Sequence, residues 1–152
     1  MLEDLDRIVT EISSLNSKLV LLIGPPRSGK SGLLCALAKR REAAVLSLGT
    51  ALGRQLVAIP NARRHLVAVE LLGELANSCA TNGILLLDNI ELLFDRTLQL
   101  DPLNLLKRHA HARRVVAVWP GEFQDNRLTY AITGHPEHQD YGIEGLVPFR
   151  IH

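Results

Sequence analysis

Aromatic residues are scarce, with one tryptophan, two tyrosines and three phenylalanines in 152 positions. Trp119 stands without the repeated aromatics of a base-stacking platform, so single-strand nucleic-acid binding has little support. Cysteine is scarcer still: Cys35 and Cys79 form no ligand spacing and fall in helix-like stretches, where buried free thiols in a reducing cytosol are expected. The net charge of +1 gives no global drive toward nucleic acid or membrane, and any such contact must come from a local patch. No apolar run reaches spanning length, and the first residues carry acids where a signal peptide would carry bases. The expectation is a cytoplasmic protein with no membrane partner.

What is present is a core-forming composition, 47% hydrophobic and 22% charged, which reads as one globular domain over residues 1–152. That domain is organised around Gly24-Pro25-Pro26-Arg27-Ser28-Gly29-Lys30-Ser31, spaced G-x-x-x-x-G-K-S like a phosphate-binding P-loop. Gly24 and Gly29 let the backbone curl so that amides point inward as an anion nest. Lys30 puts an ammonium against the outer phosphates, and the Ser31 hydroxyl can reach a magnesium ion. The helix that starts here, running on through Gly32, adds the positive end of its dipole.

Context supports the motif. Lys18-Leu19-Val20-Leu21-Leu22-Ile23 is apolar enough for a buried parallel strand, and Gly32 to Arg41 is rich in helix formers with basic residues in the last turn. The chain is therefore expected to bind a nucleoside triphosphate, with ATP and Mg2+ the working assignment.

A second chemical signal is Ile84-Leu85-Leu86-Leu87-Asp88-Asn89-Ile90-Glu91. Four apolar residues form a buried strand with Asp88 at its carboxyl end, the Walker B arrangement in which the aspartate holds the magnesium ion or its waters. Hydrolysis also needs a group that orients or deprotonates water. Asn89 follows Asp88, and an amide orients water without accepting its proton. Glu91 is the nearest carboxylate. If the chain turns into a helix here, Asp88 and Glu91 share a face, and Glu91 is then the expected catalytic base beside Lys30 and Asp88.

The remaining chain fills out an α/β pattern. Residues 1–16 carry an amphipathic helix through Leu2, Leu5, Ile8, Val9, Ile12 and Leu15, expected to pack on the sheet. The nucleotide-binding core spans 17–121. It holds a second strand at Ala43–Gly49, a short helix from Thr50 to about Val57, and a longer helix over about Ala62–Ala80 with Leu66, Val69, Leu72 and Ala76 on one side. Asp101-Pro102 starts a further helix, which leads into the buried strand Val115 to Val118 before Trp119-Pro120-Gly121. Residues 122–152 read as a loop region ending in an edge strand at 145–151, where Pro148 is tolerable. The fold class is a three-layer α/β/α P-loop NTPase with a mainly parallel sheet of about five strands. The strand ending at Trp119 is expected to lie between the two motif strands.

The other polar groups carry weaker signals. His135, His138 and His152 lack cysteine or carboxylate support and read as solvated. Lys39-Arg40-Arg41, Arg63-Arg64, Lys107-Arg108 and Arg113-Arg114 read by default as helix caps or solvated faces. An arginine finger from these groups, Arg127 or Arg150, or a patch on DNA phosphates, stays open.

The Gly24-Pro25-Pro26 opening and the inferred strand order resemble the AAA+ branch of P-loop ATPases. More narrowly, a series of segments is similar to the BrxF family, the small P-loop proteins of bacterial BREX (bacteriophage exclusion) systems. The segments are Leu86-Leu87-Asp88-Asn89-Ile90-Glu91-Leu92-Leu93-Phe94, Asp101-Pro102-Leu103, Trp119-Pro120-Gly121, Leu128-Thr129-Tyr130-Ala131 and Gly134-His135-Pro136-Glu137, in that order. This resemblance covers nearly the whole chain. It implies anti-phage defence alongside a DNA methyltransferase, a large ATPase and other BREX proteins.

Against the AAA+ pattern, Arg27 replaces a frequent glycine and no polar sensor residue ends the strand at Val118. The chain is also too short for the usual helical lid. Self-association, or docking on a larger ATPase, is expected to complete such a site. Three readings follow: an ATPase whose nucleotide state controls assembly, a nucleotide-binding adaptor with little turnover, and a small-molecule kinase. The kinase reading lacks an arginine-rich lid segment.

Overall fold

Apolar five-residue runs set the architecture. The computed structural model of the 152-residue chain describes residues 1–12, 18–25, 27–125, 127–130, 139–142 and 145–151. Strands β1 (Leu19–Ile23), β3 (Ile84–Asp88) and β4 (Arg114–Val118) are buried on both faces, as parallel strands under helices must be. With β2 (Val45–Ser47) and β8 (Val147–Arg150) they form a five-stranded parallel sheet in the order β2-β3-β4-β1-β8. The strand preceding Trp119 thus lies between the two motif strands, as expected.

Alternation along each strand sorts side chains into two cores. Leu19, Leu21, Leu85, Leu87, Val115 and Ala117 face helices α3 (Leu48–Leu56), α4 (Asn61–Cys79) and α5 (Pro102–Ala112). Val20, Leu22, Ile84, Leu86, Val116 and Val118 face α1 (Leu2–Glu11) and α2 (Lys30–Arg41). The result is the three-layer α/β/α fold. Each fully buried leucine contributes about 1.5–3 kcal/mol relative to an exposed one.

Helix α1 packs as the periodicity predicts, burying Leu5 and Val9. Charge fixes it further: Asp6 meets Arg41 at 2.6 Å and Arg40 at 3.2 Å, while Arg41 also donates to the Thr10 hydroxyl at 2.6 Å. The capping reading at Asp101 holds, since its carboxylate accepts from the Asn104 amide at 3.2 Å with Pro102 in the first turn. Residues 13–16 of the expected first helix lie outside the described residues.

Several expectations are corrected. The second strand is three residues long rather than seven, and α3 begins at Leu48 instead of Thr50. Burial of Leu48, Leu52 and Leu56 on one helical face outweighs the strand-like pattern. Leu66 is 68% exposed, and the apolar stripe of α4 runs through Ala68, Leu72 and Ala76. Neither cysteine is buried: Cys35 is exposed on α2 and Cys79 is intermediate.

The largest correction concerns the described residues between 122 and 142, where strands stand in place of the expected loop region. Strands β5 (Glu122–Gln124), β6 (Arg127–Tyr130) and β7 (Gln139–Gly142) form a small antiparallel sheet. Asp125 has φ +52°, the left-handed conformation that a two-residue hairpin turn requires. Aromatic packing holds this sheet on the core. Phe94 stacks on Tyr130 with centroids 3.9 Å apart and meets Trp119 edge-on at 5.4 Å, and Tyr141 meets Trp119 at 5.8 Å. Trp119, solitary in the sequence, is thus the fully buried centre of a cluster, and its indole Nε1 donates to the Thr129 carbonyl at 3.1 Å.

Candidate functional site

Strand register brings the motif residues to one edge. Leu22 of β1 is level with Val118 of β4, and Leu87 of β3 is level with Ala117, so Asp88 lies level with Leu22 across a single intervening strand. Two interstrand steps of about 4.8 Å place its backbone about 10 Å from that of Leu22. The loop that starts at Gly24 and the carboxylate that ends β3 therefore share the carboxyl end of the sheet, where open α/β sheets take ligands.

Within the loop, Gly29 sits at φ +93° as the N-cap of α2, and Lys30 and Ser31 open the helix. The N–H groups of this first turn have no intrahelical acceptor and are available to an anion. Arg27 also adopts a left-handed conformation, φ +63°, which explains why related loops favour glycine there. Its side chain is exposed, as are Pro25, Ser31 and Gly32. Pro26 lies outside the described residues.

Three observations describe the loop's interior. The Lys30 ammonium turns back to donate to the Gly24 carbonyl at 2.8 Å, across the space an anion would take. The Ser28 hydroxyl is buried without a hydrogen-bond partner, although its amide donates to the Pro25 carbonyl at 3.1 Å. A Cβ on Gly24 would stand 2.6 Å from the Ser28 hydroxyl and 2.8 Å from the Ile151 carbonyl, so only glycine fits. A polyphosphate suits this donor set. Ser31 and Asp88 are the residues that could hold a divalent cation with it.

Asp88 is half-buried, and one carboxylate oxygen accepts from the Asn89 amide at 2.8 Å. Asn89 itself is left-handed, φ +53°, and its side-chain amide donates to the Ser47 hydroxyl at 2.7 Å. Ser47 in turn donates to the Thr50 hydroxyl at 3.3 Å, and the Gly49 amide donates to the Asn89 carbonyl at 2.9 Å. Asn89 therefore ties the end of β3 to the end of β2. In the sequence Ser47 lay inside the expected strand Ala43–Gly49 and carried no functional signal.

The condition attached to Glu91 is not met. A short 3-10 helix runs from Ile90 to Phe94, but Asn89 breaks the backbone before it, so Asp88 and Glu91 are not three residues apart on one helix. Glu91 is exposed in the first turn, while Ile90, Leu93 and Phe94 take the buried side.

The chain is similar to the solved structure of PCH-2 from C. elegans, with a TM-score of 0.50 and 14% sequence identity over 99% of this chain. It spans 41% of that chain's length, and at this identity the likeness is one of fold. No family model and no curated protein matches the sequence. Among the described residues no separate helical domain stands beside the sheet-bearing core.

At the end of β4 Trp119 turns into the aromatic cluster, so no polar side chain follows Val118 on that strand. Of the arginines considered as fingers, Arg40 and Arg41 pair with Asp6, and Arg64 donates to the Ile59 carbonyl. Arg150 ends β8 level with Ile23, beside the loop, with its guanidinium over the Phe123 ring at 5.3 Å. His135, His138 and His152 lie outside the described residues. No helix among the described residues is long and apolar enough to cross a membrane.

Proposed function

We propose that this chain binds ATP with Mg2+ and hydrolyses it, and that its nucleotide state governs self-assembly or docking on partner proteins. The observation that carries the reading is the loop itself. Its left-handed Gly29, unpartnered Ser28 hydroxyl and inward-turned Lys30 lie at the same sheet edge as Asp88. Amides of the loop and of the first turn of α2 bind phosphate oxygens. Lys30 exchanges the Gly24 carbonyl for the outer phosphates, and Ser31 with Asp88 holds the cation. When bound, Mg2+ draws negative charge from the phosphate oxygens. Asn89 is the proposed orienting group for the attacking water, and Glu91 would have to swing in from beyond the left-handed turn at Asn89 to act as its base.

Calorimetry with ATP and ADP, with and without magnesium, alongside phosphate release, tests this. Lys30→Ala removes charge-assisted bonds worth about 1.5–3 kcal/mol each and is expected to weaken ATP binding about 100-fold. Asp88→Asn is expected to abolish the magnesium dependence. No ATP uptake at millimolar ligand by the wild type overturns the proposal.

A second reading, a nucleotide-binding adaptor with little turnover, is favoured by Asn89 bonded to Ser47 and by Glu91 standing beyond a backbone break. Binding without phosphate release above background, unchanged in Glu91→Gln, establishes it. We further propose, from the motif series shared with the BrxF family, that the partners are BREX proteins, including a larger ATPase and a DNA methyltransferase. Co-purification with those proteins, and light scattering of the chain with and without ATP, test the docking and self-assembly versions.

A further inference from the structure

Five of the 17 Lys and Arg residues lie toward the end of the sheet opposite the P-loop. The last turns of α5, the residues after it and the approach to β1 bring Lys18, Lys107, Arg108, Arg113 and Arg114 to the amino edge. Lys18 precedes β1 and Arg114 opens β4. Because Leu19 is level with Val115, these two cations are neighbours across one interstrand step. The negative end of the α5 dipole accounts for one or two cations in its last turn. It does not account for a set that continues over a loop and two strands.

These charges are held in place without being cancelled. Asp6 neutralises Arg40 and Arg41 nearby, but none of these five meets a carboxylate among the described residues. Lys18 donates to the His111 carbonyl at 3.5 Å, and Arg114 to the carbonyls of Val9 at 3.4 Å and Asn82 at 3.5 Å. Arg113 donates to the Asn77 side chain at 2.8 Å, while its Nη1 is buried and has no partner. A carbonyl fixes a cation and leaves its charge in place. His109 registers the resulting field: burial first, then Arg113 and Arg108, hold its pKa below the usual 6.5.

We infer that this edge is a docking face for the phosphate backbone of duplex DNA. Duplex DNA carries one charge per about 1.7 Å of axis and rewards each unneutralised cation by counterion release. Base stacking has no part in this contact, because Trp119, Phe94, Tyr130 and Tyr141 are committed to the aromatic cluster. Recognition is therefore of backbone rather than of sequence. The inference is independent of the nucleotide reading, since five-residue β1 sets this edge about 16 Å from the P-loop.

Fluorescence anisotropy of the full chain with a labelled random-sequence duplex, at several salt concentrations, tests it. If all five cations contact phosphates, affinity falls about 500-fold between about 50 and 200 mM salt. Removing two, as Lys107→Ala with Arg108→Ala on the outer side of α5, reduces that fall to about 40-fold. Circular dichroism confirms that the variant is folded, and Lys30→Ala is expected to bind the duplex like wild type. The inference is overturned by absence of duplex binding at low salt or by an unchanged salt slope in the double variant. It is also overturned by an equal loss in the control Arg54→Ala with Arg63→Ala, or by polyglutamate competing as well as DNA at matched charge.

Discussion

Replacing Gly121 by alanine measures how closely the small antiparallel sheet is fastened to the nucleotide-binding core. A Cβ there would stand 1.6 Å from the Thr129 carbonyl oxygen, 2.7 Å from its carbon and 3.0 Å from the Trp119 indole nitrogen. Two of these three atoms are backbone of β6, so no side-chain rotation relieves the clash. The substitution must push β6 outward and break the 3.1 Å bond from Trp119 to Thr129. Overpacking costs about 1–3 kcal/mol, and the lost hydrogen bond adds about 1 kcal/mol. The expected destabilisation is about 2–4 kcal/mol, or a fall in melting temperature of roughly 4–16 °C. Trp119 is the sole tryptophan, so its emission in a urea titration reports on this contact directly. A change below about 0.5 kcal/mol with unshifted emission refutes the close approach of β6 to Gly121.

Gly73→Ala is the opposite case: a Cβ added there, inside α4, would meet nothing within 4 Å, so a gain of about 0.5–1 kcal/mol is expected in the same titration. Asp6→Ala removes the partly buried partner of Arg40 and Arg41 and is expected to cost about 1–3 kcal/mol by urea denaturation. Tyr141 is held protonated by burial and then by Asp101, its pKa raised from 10.0 to about 12. A raised pKa favours the neutral phenol in the folded chain, so its contribution is full below pH 10 and is lost as pH rises from 10 toward about 12. Tyrosinate absorbance and stability measured together across that window check the sign, and Tyr141→Phe is expected to flatten the slope.

Much of the core could be read in advance because its signals are local. Uninterrupted runs such as Leu19–Ile23 and Ile84–Leu87 have one comfortable place, between two helical layers. The glycine spacing before Lys30 and the Asp101-Pro102 start are chemical constraints written into a few consecutive residues. The small sheet was hidden because its strands are three or four residues long and are held by aromatics distant in sequence, Phe94 and Trp119 among them. The reach of Glu91 was equally illegible: it depended on the left-handed turn at Asn89, which the bonds to Ser47 at the end of β2 and Gly49 in the first turn of α3 hold in place. Exposure of Leu66 followed from which side of α4 met the sheet, and periodicity alone left two sides open.

Pro148 has a consequence for how copies of this chain can meet. The Ile151 amide donates to the Ile23 carbonyl, and alternation along the strand then turns the Pro148 nitrogen away from β1, toward the outer margin. That margin lacks a hydrogen just where an added strand would seek one. The opposite margin, β2, offers three residues. A ribbon continuing from one molecule to the next is disfavoured at both ends, which directs any assembly to helical surfaces and side chains and leaves the central layer closed to growth.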